Sequence, residues 1–188
     1  PDNAITDCLV QEAQKLGVGT ELIRRVKSGR FGIYFVETGA NQRGGTVTYD
    51  REGSSIALQP ADSYDFESAF RGANWFHITG ITPAISANAA EAAMLSVQTA
   101  KRQGLTVSCD LNFRKKLWNW RPGTKSTDLC RETMRGLMPF IDVVIANGEN
   151  SAGGSGVTPA IYREMMASGV DCVTLGDHIY RRQEIIPV

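Results

Sequence analysis

The spacing of apolar residues changes along the chain, and each change predicts a different kind of element. The first spacing is helical, because five apolar residues recur three or four positions apart: Ile5, Cys8, Leu9, Ala13 and Leu16. Asp2 or Asn3 can cap the start of this helix, and Gly17 supplies a stop at its end. An amphipathic helix is therefore predicted at the start of the sequence.

Between residues 30 and 58 the apolar period falls to two, as in a strand that is buried on one side. Alternation runs through residues 33–36, a glycine-rich turn follows at 39–45, and alternation resumes from Val47 to Tyr49. Residues 54–58 supply a third strand after the Glu52-Gly53 turn. This segment predicts a small antiparallel unit with one polar or ligand-facing side.

After residue 59 short apolar runs alternate with helical patterns. The runs predict strands at residues 75–79, 105–109, 142–146 and 171–175, and the helical patterns between them span 86–102, 128–138 and 159–167. Strands about thirty residues apart with intervening helices are typical of βαβ crossovers. The sequence therefore predicts an α/β fold with a parallel sheet covered on both faces, and the antiparallel unit stands apart from it as a flap.

Composition excludes several classes of protein. The 188 residues carry 20 Lys and Arg against 20 Asp and Glu, which argues against a nucleic-acid partner because such domains are usually basic. The four cysteines form no CxxC pair and there are two histidines, so we expect buried reduced thiols in place of a zinc or disulfide site. No apolar run approaches the roughly 18 residues of a membrane helix, and no signal peptide is recognised. A cytoplasmic protein without a membrane partner is expected.

Polar residues cluster where the predicted parallel strands end. The strand ends read Thr79-Gly80, then residues 110–116, then 147–150, and finally Gly176-Asp177. Ligands bind at the carboxyl ends of such strands, so one rim of the sheet is expected to hold a charged, phosphorylated ligand. The alternative is that these residues are polar because loops are polar.

Two groups of side chains have the chemistry for such a ligand. Arg114 can clamp a carboxylate or phosphate, and Asn112 can hydrogen-bond a sugar hydroxyl, although a solvated loop with an Asp110 turn explains the same residues. Tyr34, Tyr49 and Arg51 lie on the flap strands and can cover a polar ligand as a lid, although ordinary edge-strand decoration is an alternative.

Other apparent motifs carry no function. Residues 123–126 lack the glycine before the lysine that a Walker A loop requires, and residues 153–156 do not fit GxGxxG. His77 is interpreted as a hydrogen-bonded core residue, and His178 as a loop residue without metal-ligand partners.

Several stretches together resemble the 2-keto-3-deoxygluconate kinases of the ribokinase-like, or PfkB, sugar kinases. They follow the order of the family and occupy residues 30–35, 39–43, 47–51, 75–83 and 109–118. The resemblance implies a three-layer α/β/α core at residues 1–29 and 59–188, with a β-sheet lid at 30–58. It also implies ATP- and magnesium-dependent phosphorylation of the terminal hydroxyl of 2-keto-3-deoxygluconate. The apolar alternation of the lid hairpin separately predicts a homo-oligomer formed through the lid.

The resemblance also assigns roles to particular residues. Tyr34, Tyr49, Arg51 and Arg114 would contact the sugar acid. The nucleotide and its phosphates would lie near Asn112, Arg114, Asn147, Thr174 and Gly176. The Asn-x-x-acid element of the family appears here as Asn147-Gly148-Glu149-Asn150, with an amide at its final position, so Glu149 would bind magnesium from one residue earlier.

The sequence departs from the family at the catalytic segment. The Gly-Ala-Gly-Asp run, whose aspartate is the family's base, occurs nowhere, so no catalytic residue is assigned. The amino-terminal strands of the family are also missing. A catalytically inactive module that binds sugar or nucleotide, or takes part in assembly, is therefore the alternative function. A dinucleotide-dependent oxidoreductase shares the α/β pattern but would need a glycine fingerprint that is not found.

Overall fold

Residues 1–39, 46–176 and 178–186 of the chain are described by a computed structural model. Most of the predicted turn at 39–45, and Asp177 at the end of the fourth strand, lie outside these residues. The strands form two sheets. The first pairs β1 (Ile33–Glu37) with β2 (Thr46–Asp50) in antiparallel register, and the second has the order β3-β4-β5-β6.

The four strands of the second sheet are all parallel. They are β3 (Trp75–Thr79), β4 (Thr106–Asp110), β5 (Val143–Asn147) and β6 (Cys172–Thr174). The described α-helices are α1 (Ala4–Lys15), α2 (Ser55–Leu58), α3 (Phe66–Ala69), α4 (Thr82–Ile85), α5 (Ala87–Arg102), α6 (Ser126–Leu137) and α7 (Pro159–Ala167). The predicted α/β class, with a parallel sheet and a separate two-stranded unit, is confirmed. The domain boundaries after residues 29 and 58 remain a prediction.

Helix boundaries follow from local capping. The Ser86 hydroxyl accepts a hydrogen bond from the backbone N–H of Ala89 at 3.0 Å, and the Thr158 hydroxyl accepts one from Ile161 at 3.3 Å. Gly104 follows α5 with a φ of 78°, which favours glycine. These signals act within one turn of the chain, and the sequence therefore predicted α5 and α7 to within a residue.

The long helices pack on one face of the parallel sheet. Val97 of α5 and Leu137 of α6 share a buried cluster with Val107 and Cys109 of β4, while α7 places Met165 against Val144 and Ala146 of β5. The opposite face carries Trp75, which is 58% exposed, together with the exposed His77 and Cys172. The described residues therefore show the sheet and one helical layer of the predicted three-layer arrangement.

Three predictions about local structure are wrong. Residues 54–58 do not form a third strand: Ser54 makes a single bridge to Arg30, and α2 then begins, because the Ser54 carbonyl accepts helical hydrogen bonds from the N–H groups of Ala57 and Leu58 at 2.9 and 3.1 Å. The apolar face of α1 is not buried, since Ile5 is 56% and Leu9 45% exposed. Two of the four free cysteines, Cys8 and Cys172, are exposed in place of the expected buried state. In the described ranges, no helix is long and apolar enough to cross a membrane.

Asp142 joins two parts of the core through its carboxylate. The carboxylate accepts hydrogen bonds from the Lys101 ammonium at 2.7 Å and from the backbone N–H of Val107 at 2.8 Å. The Lys101 contact, followed by the Val107 bond, lowers the pKa of Asp142 below its ordinary value. A lowered pKa in the folded state means that this stabilisation is present above the unfolded pKa and is lost as the pH falls through the folded value.

Asp142→Asn should therefore lower the free energy of unfolding near neutral pH by about 1 kcal/mol or less, because the ion pair is partly exposed. The difference from the original chain should shrink as the pH falls below about 4. Urea denaturation at several pH values measures this. Asp171→Asn is the matched control. The Asp171 carboxylate also accepts a hydrogen bond from a strand N–H, that of Val144, at 2.8 Å. It differs from Asp142 because it has no lysine partner among the described ion pairs. A difference that persists at low pH would contradict the prediction.

Candidate functional site

The polar strand ends do meet at one rim of the parallel sheet. Thr79 lies opposite Asp110 in the register of β3 and β4, Asp110 lies opposite Ile145, and Asn147 lies opposite Thr174. The carboxyl ends of all four strands therefore face the same side, as predicted for a ligand site.

Asn112 holds the first part of this rim in a fixed shape. Its backbone has a φ of 36°, in the left-handed region, and its N–H donates to the Asp110 carboxylate at 3.1 Å. Its side-chain amide donates to the Thr79 hydroxyl at 3.4 Å. Gly80 closes the rim with a 2.7 Å hydrogen bond from its N–H to the Asp110 carbonyl. The amide of Asn112 is thereby placed between the ends of β3 and β4.

The second part of the rim joins the ends of β5 and β6. The Asn147 amide donates to the Thr174 hydroxyl at 3.4 Å, and the Asn147 oxygen accepts the backbone N–H of Glu149 at 3.1 Å. The Glu149 carboxylate lies against the backbone of Gly176, where a Cβ atom would come within 2.2 Å of a carboxylate oxygen. It also accepts the backbone N–H of His178 at 3.3 Å.

His178 has partners that sequence analysis did not foresee. Its Nδ1 lies 2.9 Å from the Asn150 side-chain oxygen and 3.8 Å from a Glu149 carboxylate oxygen. These partners come from the preceding strand end, 28 and 29 residues earlier, and with His178 they do not form a metal-binding group among the described residues. The signal that could have found this cluster is the expected pairing of two successive parallel strands, each followed by a polar loop.

Cys109 lies directly before this rim and is not a nucleophile. The side chain is 1% exposed, and burial, followed by the nearby Asp110 charge, raises its pKa to about 11. The thiol therefore stays protonated at neutral pH, and the rim's chemistry rests on its amide, carboxylate and hydroxyl groups.

The lid presents two phenols and a guanidinium. Tyr34 and Tyr49 face each other across the β1–β2 register, with ring centroids 6.4 Å apart. The Arg51 guanidinium carbon lies 5.4 Å from the Tyr49 ring centroid, in the geometry of a cation–π contact. Tyr34 is 55% exposed. Tyr49 and Arg51 are therefore brought together as predicted, with Tyr34 at their outer side.

Two cavities meet at Arg51. We call the larger one, of about 520 Å³, the lid cavity; the residues that line it between the lid and α4 include Arg30, Gly32, Arg51, Ser54, Ile81 and Thr82. We call the smaller one, of about 390 Å³, the rear cavity; it is lined by Tyr49, Arg51, Glu52, Ile85, Lys116, Leu117, Asn119 and Trp120. Arg114 lines neither cavity: it is exposed and donates to the Phe113 carbonyl at 3.1 Å. The structure thus separates Arg114 from the lid residues.

One polar group in the lid cavity's wall lacks a partner. Ser54 is 1% exposed, and its hydroxyl has no hydrogen-bond partner among the described residues. A buried hydroxyl without a partner is unfavourable. Ile81, in the wall of this cavity, is joined to the rim, because its N–H donates at 3.3 Å to the same Thr79 hydroxyl that contacts Asn112.

Known relatives of this chain include sugar-acid kinases. A 2-dehydro-3-deoxygalactonokinase of Haloferax volcanii is 31% identical over 146 residues, which make up 78% of this chain and 43% of the relative. The crystal structure of a 2-dehydro-3-deoxygluconokinase from Thermotoga maritima superposes with a TM-score of 0.75 at 35% identity, over 89% of this chain and 50% of that one. The chain spans about half the length of the relatives it matches.

The carboxyl-terminal part resembles a second family. Residues 123–188 match the YmdB-like proteins, and a 41-residue stretch is 46% identical to a 2′,3′-cyclic-nucleotide 2′-phosphodiesterase of Bacillus subtilis. That stretch makes up 22% of this chain and 16% of the relative. Thr174 and Gly176 lie in this part, whereas Asn147 and Glu149 lie where the two family matches overlap.

The longer family match decides the identity of the chain. It begins before α1, continues through the lid and the first three parallel strands, and ends at residue 154. It contains all five stretches that carry the resemblance, and the ribokinase-like fold of the Thermotoga structure agrees with it. The residues from 2 to 154 are matched by one family description, and the chain belongs to the pfkB family of carbohydrate kinases.

Proposed function

We propose that this chain serves the ATP-dependent phosphorylation of 2-keto-3-deoxygluconate at its terminal hydroxyl, giving the 6-phosphate. The observation that carries the proposal is the position of Arg51 in the wall of a cavity whose lining residue Ile81 is hydrogen-bonded to Thr79 at the polar rim. A sugar acid needs a cation for its carboxylate and hydroxyl partners for its chain, and the lid cavity offers both. The names of the sugar-acid kinases from Haloferax and Thermotoga support this substrate class.

The sugar acid is proposed to lie in the lid cavity. Arg51 binds its carboxylate there, and the Ser54 hydroxyl gains the partner that it lacks. Tyr49, held against Arg51, fixes the direction of the guanidinium, while Tyr34 closes the outer side. The terminal hydroxyl then points towards Thr79 and Asn112 at the rim.

The phosphates of ATP are proposed to lie along the rim itself. Asn112 is the donor nearest the sugar, and Arg114 is free to move onto a phosphate because it is exposed and has no described ion-pair partner. The rim continues on the nucleotide side with Asn147, Thr174 and Gly176. Thr174 and Gly176 lie in the part of the chain that matches the YmdB-like proteins. Transfer of a phosphoryl group from ATP depends mainly on the positioning of the reactants and on neutralisation of the phosphate charge.

Glu149 is the proposed magnesium ligand. Magnesium is usually held by one or two carboxylates together with phosphate oxygens and water, so a single rim carboxylate suits a metal that arrives with a nucleotide. The part of the chain that the structure describes contains no group of three or more acidic, histidine or cysteine side chains arranged to hold a metal alone. The bound ion would neutralise phosphate charge, while Asn147 fixes the Glu149 backbone through its 3.1 Å hydrogen bond.

Titration calorimetry with 2-keto-3-deoxygluconate tests the proposal without requiring turnover. Arg51→Gln should weaken binding at least tenfold, because a charge-assisted hydrogen bond to the carboxylate is lost. Arg71→Gln is the control, since Arg71 is exposed and lines neither cavity. Equal binding by both variants would refute the role of Arg51. Binding of the sugar acid without phosphorylation would favour the alternative of an inactive binding module.

A second candidate function has its own supporting observation. The match to the YmdB-like proteins, over residues 123–188, contains Glu149, Asn150 and His178, which lie together. We propose, as the second candidate function, hydrolysis of a phosphodiester that the cluster of Glu149, Asn150 and His178 contacts. Release of nucleotide monophosphate from a 2′,3′-cyclic nucleotide, abolished by His178→Ala and retained in Arg51→Gln, would favour this function over the kinase.

A further inference from the structure

The rear cavity is a second candidate binding site with no role in the function proposed above. It shares Arg51 with the lid cavity and lies between the end of β2 and the segment that follows β4. Its volume of about 390 Å³ falls within the range of small-molecule sites.

The charges of the rear cavity favour an anion. Arg51 and Lys116 line it against a single carboxylate, that of Glu52. Neither cation makes an ion pair within the described ranges, so both charges are available to a ligand. Unpaired cations at a concave wall attract anions more strongly than the same groups on an open surface.

The walls of the rear cavity favour a ligand with a flat apolar body. Ile85 and Leu117 are apolar, and Trp120 is fixed by a 3.1 Å hydrogen bond from its indole N–H to the Pro83 carbonyl. The Tyr49 ring supports the Arg51 guanidinium from beneath. Aromatic walls with a few fixed polar groups are typical of sites for small organic ligands.

We propose that the rear cavity binds a small organic anion with a planar apolar body, held by Arg51 and Lys116, and that this ligand competes with the sugar acid. The competition follows because one guanidinium lines both cavities and can neutralise one ligand anion at a time. This second part rests on the proposed function, whereas the anion site does not. By linkage, each ligand weakens the binding of the other by the same factor.

Calorimetric titration with phenyl phosphate tests the anion site, with benzyl alcohol as the uncharged comparison. The chain should bind phenyl phosphate with a dissociation constant of about a millimolar, and benzyl alcohol far more weakly. Lys116→Met should weaken phenyl phosphate binding about tenfold, as expected for the loss of one charge-assisted hydrogen bond. Lys115→Met is the matched control, because Lys115 is an exposed neighbour outside the cavity. Equal affinity in the two lysine variants, or no binding by the original chain, would overturn the proposal.

A second titration separates the anion site from the proposed function. Saturating 2-keto-3-deoxygluconate should raise the apparent dissociation constant of phenyl phosphate, and Lys116→Met should leave binding of the sugar acid unchanged. If the sugar acid does not bind, the proposed function fails while the comparison of Lys116→Met with Lys115→Met still decides the anion site. If both ligands bind without affecting each other, the competition is refuted.

Discussion

Replacement of Trp118 by alanine should lower the free energy of unfolding by about 3–5 kcal/mol, the usual loss for a buried aromatic side chain. Trp118 is 1% exposed and packs in a cluster with Ala84, Leu117 and Leu129. Removal of the indole leaves a cavity that the surrounding side chains cannot fill. Because total stabilities of about 5–15 kcal/mol are typical, this loss removes a large share of the stability of the fold. Guanidinium denaturation followed by circular dichroism measures the loss.

Trp118→Phe is the informative companion variant. The indole N–H of Trp118 has no hydrogen-bond partner among the described residues, so phenylalanine removes an unpaired buried donor while it keeps most of the apolar volume. The expected loss is about 1–2 kcal/mol, well below that of alanine. Equal losses for the two variants would contradict the view that packing dominates at this position.

The same cluster connects stability with the proposed sites. Tyr49 of the lid and Trp120 of the rear cavity are partly buried against it. Trp118 therefore supports both the ring beneath Arg51 and a wall of the rear cavity, although it lines neither cavity itself. A loosened cluster should weaken ligand binding even where the fold survives.

The sequence was informative where short-range interactions decide structure. Apolar runs and capping residues determine β3 at Trp75–Thr79 and α7 at Pro159–Ala167, whose predicted and observed limits coincide. In residues 54–58 the apolar pattern is short and therefore predicts a strand only weakly. The structure has a helix there, which begins at Ser55.

Side-chain direction could not be predicted in the same way. Spacing placed Arg114 and Lys116 in one loop, but only the packing of Leu117 and Trp118 into the core shows that Lys116 lines a cavity with Arg51. The Glu149–His178 contact joins residues 29 apart in sequence and depends on the parallel pairing of β5 with β6. Such contacts become visible only when neighbouring strands are known.

The comparisons with kinases do not all extend equally far along the chain, because the Thermotoga structure superposes on 89% of the chain, more than the pfkB match covers. The kinase match ends at residue 154, yet Thr174 and Gly176 received nucleotide-binding roles by the same resemblance. Any parallel sheet places polar loops after its strands, so the end of β6 carries suitable chemistry for kinases and for the YmdB-like proteins alike. The nucleotide-binding roles of Thr174 and Gly176 are therefore proposals.

Gly80→Ala should have the second large effect on this chain. An added Cβ atom would lie 2.2 Å from the Leu111 carbonyl oxygen and 3.0 Å from its carbonyl carbon, both of which are backbone atoms. Backbone cannot rotate away as a side chain can, so the ends of β3 and β4 must separate. The expected loss of stability is about 2–3 kcal/mol, as for overpacked cores. The 2.7 Å hydrogen bond from Gly80 to Asp110 should weaken with it, and amide hydrogen exchange at Gly80 and Asn112 measures that local opening.

Gly136→Ala is the matched control, because its added Cβ atom would meet only the terminal methyl group of Met94, at 3.0 Å. Met94 has a flexible side chain that can move aside, and alanine is favoured over glycine within α6 by up to about 1 kcal/mol. The control should therefore be neutral or slightly stabilising, with unchanged exchange at Asn112. If Gly80→Ala proves as mild as Gly136→Ala, the rim is less tightly packed than its backbone contacts indicate. Binding of the sugar acid should then survive the substitution at Gly80, whereas a rigid rim predicts that stability and binding are lost together.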